Sequence, residues 1–400
     1  MDEGSESLRL DQLAVFAGEA AFEDPVHVGR PNIGDRDVLS ARIDSALDRA
    51  WITNGGPLVD EFERRVTEFL GVEHCVAVSS ATVGLQLVAR ALELQGEVIV
   101  PSFTFVGTAH ALAWIGLTPV FCDVDRRTHT LDPARVADAI CDRTAAVLGV
   151  HMWGRPCAVE ELAEVTSSSG VPLIFDAAHA FGCAHRGRRV GGFGVAEVFS
   201  FHATKVVNSA EGGAVTTNDA GLAAKLRLMR NFGFSGYDTV VELGTNAKMS
   251  ELNAAMGLTS LDSMSEFVAA NHRNYVEYSR GLDGISGVRL VEFDPHDEQN
   301  LQYVTVEVEP SIRDDLVRVL QAENVLARRY FYPGCHRSEP YRSRASAEHL
   351  PSTEELTACI INLPTGSAVT AEMVHKICEL ISLAIHHADE VRRRLGDPES

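Results

Sequence analysis

A single lysine, an aspartate, a histidine, an aromatic and a run of small hydroxyl residues stand where chemistry could be done. Lys205 lies in EVFSFHATKVVNSAEGGAVTT (197–217), between the apolar residues Val198, Phe199 and Phe201 and a second apolar pair, Ala214 and Val215. An ammonium group is expensive to desolvate. Burial pushes it toward the neutral amine, a nucleophile able to form a Schiff base. A lysine at a strand end can also snorkel to water. Asp176 and His179 follow the apolar run Leu173-Ile174-Phe175. An aspartate there caps a helix or holds a cation; His179 is a satisfied core residue or a donor beside the same ligand. Ser79-Ser80-Ala81-Thr82 follows Val76-Ala77-Val78 and opens a helical pattern. Free N–H groups and the helix dipole make such a start an anion site, although plain capping by Ser80 or Thr82 accounts for the same residues. Phe105, in PSFTF (101–105), can stack on a planar ring or fill the core.

The elements that carry these residues alternate. Short apolar runs near residues 75–78, 97–100, 119–122, 145–150 and 172–175 are separated by helical patterns at 81–94, 104–115, 133–140 and 159–168. That rhythm predicts βαβ units and a mostly parallel sheet covered on both faces. In such sheets ligands bind beyond the carboxyl ends of the strands, where the residues above fall. Cys183 to Val190 reads as a polar hairpin, residues 231–246 as a Gly-rich loop, and residues 250 to about 280 as one long helix capped by Ser250. The expected organisation is an N-terminal extension (1–25) of little structure, a large α/β domain (26–282) and a smaller C-terminal α/β domain (283–400).

An anion cradle, an aromatic face, an aspartate and a buried lysine, each at a strand's carboxyl end, together match what pyridoxal 5'-phosphate requires. Its phosphate needs the cradle, its ring a stacking face, its pyridine nitrogen a carboxylate, and its aldehyde an amine.

With those residues in view, the chain resembles the DegT/StrS family of pyridoxal-phosphate-dependent sugar aminotransferases, of fold type I. The resemblance rests on GRPNIGD (29–35), TNGGPLVDEFE (53–63), SSATVGLQL (79–87), PSFTF (101–105), HMWGRP (151–156), DAAHAFG (176–182), SFHATK with EGG (200–213), NAKMSELNAAMG (246–257) and YFYPGCH (330–336). It implies a three-layer α/β/α large domain with a mostly parallel sheet and a smaller C-terminal α/β domain. It implies that Lys205 is the Schiff-base lysine and proton carrier, that Asp176 pairs the pyridine nitrogen and that Phe105 stacks on the ring. Ser80, Ala81, Thr82 and Ser200 are then phosphate contacts, and His179 lies beside the ring hydroxyl. Asn246 reaches the phosphate of a neighbouring subunit, which implies a homodimer with shared active sites, and His336 borders the sugar pocket. Ala210 replaces a glycine of many members, and Phe105 a tryptophan or tyrosine of some. The implied reaction moves the amino group of L-glutamate to a nucleotide-linked keto-sugar. The HATK…EGG form resembles members that act at C4 of a dTDP-linked 4-keto-6-deoxy sugar more than those that act at C3. Dehydratases of the same family carry histidine at the lysine position, so Lys205 opposes that alternative.

Composition bounds the remaining possibilities. The formal charge of -21 opposes binding to nucleic acid or an anionic membrane, and no basic helical segment supports a DNA-binding regulator. The charge-free run 98–122 contains Pro101, Pro119 and several hydroxyl residues, so it reads as core elements rather than a membrane span. The eight cysteines show no Cys-x-x-Cys spacing, so no metal is expected. The acidic, polar N-terminus lacks a signal peptide's features, and the expected compartment is the cytoplasm.

Overall fold

The computed structural model describes residues 9–343 and 349–396. Its centre is a seven-stranded sheet: β1 (His74–Val78), β2 (Glu97–Pro101), β3 (Thr118–Cys122), β4 (Thr144–Val150), β5 (Leu173–Asp176), β6 (Ala196–Ser200) and β7 (Gly213–Thr217). The spatial order is β1-β7-β6-β5-β4-β2-β3. All neighbours are parallel except β7, which runs antiparallel to both β1 and β6.

Alternation builds the layers. Val76 and Val78 of β1, Val198 of β6 and Val215 of β7 join one core with the helices Ala81–Ala91 and Val106–Trp114. Cys75 and Ala77, Phe199 and Ala214 point to the other face and pack with the helices Pro57–Leu70 and Glu251–Asp262. Because both faces are covered, the strands are apolar nearly throughout. Pro57–Leu70 shows why these helices form where they do. Pro57 occupies the first turn, where its missing N–H costs nothing. Val59, Phe62, Val66 and Leu70 recur on one buried face, and Gly71 ends the helix in the left-handed region at φ 68°.

The expected single helix over 250–280 is two helices, Glu251–Asp262 and Met264–Leu282. Ser250 caps the first as expected, accepting from the Asn253 N–H at 3.1 Å. Ser263, at φ -95° and ψ 5°, makes the break. Glu251, at the start of that helix, serves another one. It is fully buried and its carboxylate accepts the Leu58 and Val59 N–H groups at 3.0 Å each. It thereby satisfies first-turn donors of Pro57–Leu70.

A three-stranded antiparallel sheet, Val288–Leu290, Val304–Val308 and Ile360–Leu363, forms a second core with the helices Pro310–Ala322 and Ala371–His386. Residues 9–25, expected to carry little structure, pack on this core; residues 1–8 lie outside the described residues. Leu13 is buried, and the buried Glu323 carboxylate accepts the Ala14 and Ala21 N–H groups at 2.6 and 2.7 Å. Val26–His27 then pairs in parallel with Val325–Leu326. The charge-free run 98–122 is strand, helix and strand, and among the described residues no helix is long and apolar enough to cross a membrane.

Candidate active site

The sheet register brings the chemistry-bearing residues to one edge. Gly213, the first residue of β7, is the partner of both Val78 and Ser200, the last residues of β1 and β6. Asp176, which ends β5, is the partner of Val198 and Val150. The antiparallel β7 therefore starts where its parallel neighbours stop.

Beyond β1, Ser80 caps the helix Ala81–Ala91, its hydroxyl accepting the Val83 N–H at 3.3 Å. Capping and anion binding coexist here. The cap uses Val83, while Ala81 and Thr82 present first-turn N–H groups that have no partner within the helix. Gly213 lets β7 come close to them: a Cβ there would stand 2.6 Å from the Ala81 nitrogen. The Ser200 hydroxyl accepts the His202 N–H at 3.3 Å at the same edge. Gly107 keeps the next gap open. A Cβ on it would meet the Phe105 ring at 2.9 Å, with Thr82 Oγ1 3.6 Å away. Phe105 precedes the helix Val106–Trp114 and is 60% exposed, so a ring face is free for a planar ligand.

Asp176 is buried, with Oδ2 accepting from Thr108 Oγ1 at 2.8 Å and Oδ1 from the Ala178 N–H at 3.0 Å. Burial raises its pKa, and these two hydrogen bonds and Lys205 only partly offset that. The carboxylate is short of a cation. Lys205 sits on a turn after β6, its N–H donating to the His202 carbonyl at 2.9 Å. Burial pushes its amine down to about 8, against the opposing pull of Asp176 and Tyr330. The residue as a whole is half-buried, but the protein surrounds the amine, so desolvation still dominates. The other three lysines differ. Lys225 is paired with Glu93, Lys376 with Glu379, and Lys248 donates to Asn246.

His179 is buried, its Nδ1 has no hydrogen-bond partner, and burial with Lys205 nearby holds it well below its usual pKa. A neutral imidazole thus has an unused polar atom close to the lysine. Its ring is backed by Trp153 (centroids 6.1 Å, 13° between planes) and tilted against Tyr303 at 4.6 Å. Trp153 lies within HMWGRP (151–156), but no local pattern marks Thr108 or Tyr303 as site residues. Thr108 lies 68 positions from Asp176 and Tyr303 lies 98 from Lys205, so local spacing carries no signal for either.

Two expected site residues stand apart from this cluster. Asn246 is exposed and its Oδ1 accepts from Lys248 Nζ at 2.7 Å. His336 is buried, its Nδ1 2.6 Å from Ser102 Oγ and its Nε2 3.5 Å from Glu354. It borders the PSFTF turn, but the Ser102 hydroxyl engages its ring. Among the described residues no cluster of ligating side chains suits a metal.

The residues fit pyridoxal phosphate. The helix start that Gly213 leaves room for suits its phosphate, the free Phe105 face its ring, the cation-poor Asp176 its ring nitrogen, and the low-pKa Lys205 its aldehyde. Fold and site together define a pyridoxal-phosphate-dependent enzyme of fold type I. The chain belongs to the DegT/DnrJ/EryC1/StrS aminotransferase family, whose profile matches residues 35–382. It is 33% identical over 363 residues to the dTDP-4-amino-4,6-dideoxy-D-glucose transaminase of Shigella dysenteriae, covering 90% of this chain and 99% of that one. It is 33% identical over 344 residues to the GDP-perosamine synthase of Caulobacter vibrioides, covering 83% and 91%. A crystal structure of DesI in the presence of its TDP-sugar product matches with a TM-score of 0.94 at 52% identity, covering 97% of this chain and 100% of that one.

The low pKa of Lys205 has a measurable consequence. A depressed lysine is neutral above its folded value. Cofactor capture by the apoprotein should therefore quicken about tenfold per pH unit up to about pH 8 and then level off. An ordinary lysine would carry the rise on toward its usual value of about 10.4. Reconstitution followed by absorbance between pH 6 and 10 separates the two curves.

Proposed function

We propose that the enzyme transfers the amino group of L-glutamate to a dTDP-linked 4-keto-6-deoxy sugar in amino-deoxysugar biosynthesis, in the cytoplasm. The observation that carries this reading is that a buried, low-pKa Lys205 and a buried Asp176 short of a cation stand at the same sheet edge. The nucleotide-sugar 4-aminotransferase activity is supported by the relatives, which include a dTDP-sugar transaminase and DesI.

Bound pyridoxal phosphate supplies an electron sink that carries the amino group between donor and acceptor. The protein's residues do the rest. Ala81 and Thr82 N–H groups, with the Ser80 and Ser200 hydroxyls, hold the phosphate. Phe105 covers one ring face and His179 stands beside the ring hydroxyl. Asp176 keeps the ring nitrogen protonated. The neutral Lys205 amine takes the proton from the donor's α-carbon and returns it on the other side of the transfer. The same amine serves the acceptor sugar after 2-oxoglutarate has left. His336 borders the space where the sugar would sit.

Asn246 completes the phosphate site of a second copy. Support comes from the surface around it. Phe232, Tyr237, Val240, Val241 and Leu243 are exposed, as are Leu47, Trp51 and Ile52, apolar side chains of the kind a partner surface covers. A homodimer with shared sites accounts for both features.

A panel of nucleotide keto-sugars offered with glutamate tests the substrate, with products identified by mass and NMR. The expected product is a 4-amino-4,6-dideoxy sugar on dTDP. Preference for a 3-keto sugar, or a product without nitrogen, would sink the proposal.

A further inference from the structure

The Lys205 amine has a partner that the reaction scheme above does not use. Its Nζ donates to the phenol oxygen of Tyr303 at 3.2 Å. Among the described residues neither atom has another hydrogen-bond partner. Tyr303 comes from 98 positions further along the chain, directly before the strand Val304–Val308 of the second sheet. It is 8% exposed, and a hydroxyl so buried needs a partner. Its ring is fixed on several sides: the edge meets Trp153 at 5.4 Å and 64°, His179 lies at 4.6 Å, and Tyr330 at 6.3 Å and 80°. Trp153 is itself held, since its indole N–H donates to His129 Nδ1 at 3.0 Å. The phenol oxygen is therefore presented by a rigid aromatic cluster.

We propose that Tyr303 is the positioning residue for Lys205: its hydroxyl holds the amine whenever that amine is not bonded to the cofactor, at the spot from which it moves a proton. This rests on the reading of Lys205 as the proton carrier. The chemistry of a phenol suits the task better than the alternatives. A carboxylate there would pin the lysine as an ammonium. A phenylalanine would fill the same space between Trp153 and His179 but leave a flexible side chain of four rotatable bonds unheld. A phenol accepts from an ammonium and can donate to a neutral amine, so it follows the lysine through both protonation states. Burial keeps the phenol well above its ordinary pKa, so it stays neutral and adds no charge. The titratable groups that act on the amine are Asp176, His179, Tyr303 and Tyr330.

Tyr303→Phe tests this, because it keeps the ring and removes only the hydroxyl. The apoprotein's capture of pyridoxal phosphate reads the amine directly. Loss of an acceptor for the ammonium should move the capture midpoint down from about 8 by about half a pH unit or more. In the reconstituted enzyme kcat should fall about tenfold with both KM values within about threefold, as expected when a proton-transferring group is misplaced. The isotope effect with α-deuterated glutamate should grow, because the proton step becomes slower than the others. An unmoved midpoint, or a kcat within about threefold of the wild type, overturns the proposal. Lys205→Ala separates this from the reading beneath it. Wild-type capture by that variant would defeat the role of Lys205 itself, whereas a silent Tyr303→Phe with inert Lys205→Ala defeats only the role of Tyr303.

Discussion

Replacing Lys205 by alanine should abolish transamination, with kcat/KM falling at least about ten-thousandfold, or about 5.5 kcal/mol of barrier. Two losses would combine on the proposed reading: the side chain that would bond the cofactor's aldehyde is gone, and so is the base that would serve the donor's α-carbon. No other lysine can substitute, since Lys225 is held by Glu93, Lys376 by Glu379, and Lys248 by Asn246 at 2.7 Å. The fold should survive. Alanine removes a buried amine whose charged form is disfavoured, and the flanking core of Phe199, Phe201, Val206 and Val207 stays in place. The measurement needs no substrate. Borohydride treatment of the wild type should leave the cofactor's mass on the peptide containing residue 205, and on none in the variant. Retention of substantial turnover by the variant would exclude the mechanism.

How this site could be read from the chain depends on which contacts are local. Lys205, Asp176 and the Ser80–Thr82 turn each follow an apolar strand, and strand periodicity with the rule for parallel sheets is enough to place them on one edge. The chain's alternation of strand and helix shows through for the same reason. The contacts without a local signal depend on distant segments. Thr108 supports Asp176 from the next helix over, and Tyr303 reaches Lys205 from the second sheet. Residues 9–25 look featureless because their order comes from Glu323, some three hundred positions away. The break at Ser263 was hidden because helical apolar spacing continues on both sides of it, through Leu258, Leu261, Met264 and Phe267. His336 shows the opposite limit. Its motif was legible, but the Ser102 hydroxyl at 2.6 Å that orients its ring was not.

Asp176→Asn should separate function from stability more sharply than any other change in the site. Asparagine keeps the shape and can still accept from Thr108 or Ala178, so the packing of the β5 end is preserved. It cannot hold a proton on the cofactor's ring nitrogen, and an amide N–H turned toward that nitrogen would oppose its protonation. The electron sink weakens, and kcat should fall about a thousandfold, the scale of losing a buried opposite charge from beside a titrating group. A cofactor analogue methylated at the ring nitrogen carries a permanent positive charge. It should restore part of the activity to the variant and little to the wild type. The apoprotein should behave the other way. Burial raises the Asp176 pKa above its unfolded value, so the ionised carboxylate opposes folding above the unfolded pKa, and the opposition is complete once the pH passes the folded value. Removing that charge should leave the apo variant melting no lower than wild type at neutral pH. Adding pyridoxal phosphate should raise the melting temperature of the wild type more than that of the variant, because only the wild type gains a cation for its carboxylate. A variant with more than about a tenth of wild-type kcat would show that the carboxylate does not set the ring's protonation. A variant apoprotein clearly less stable than wild type would show that Asp176 is kept for the fold rather than for the cofactor.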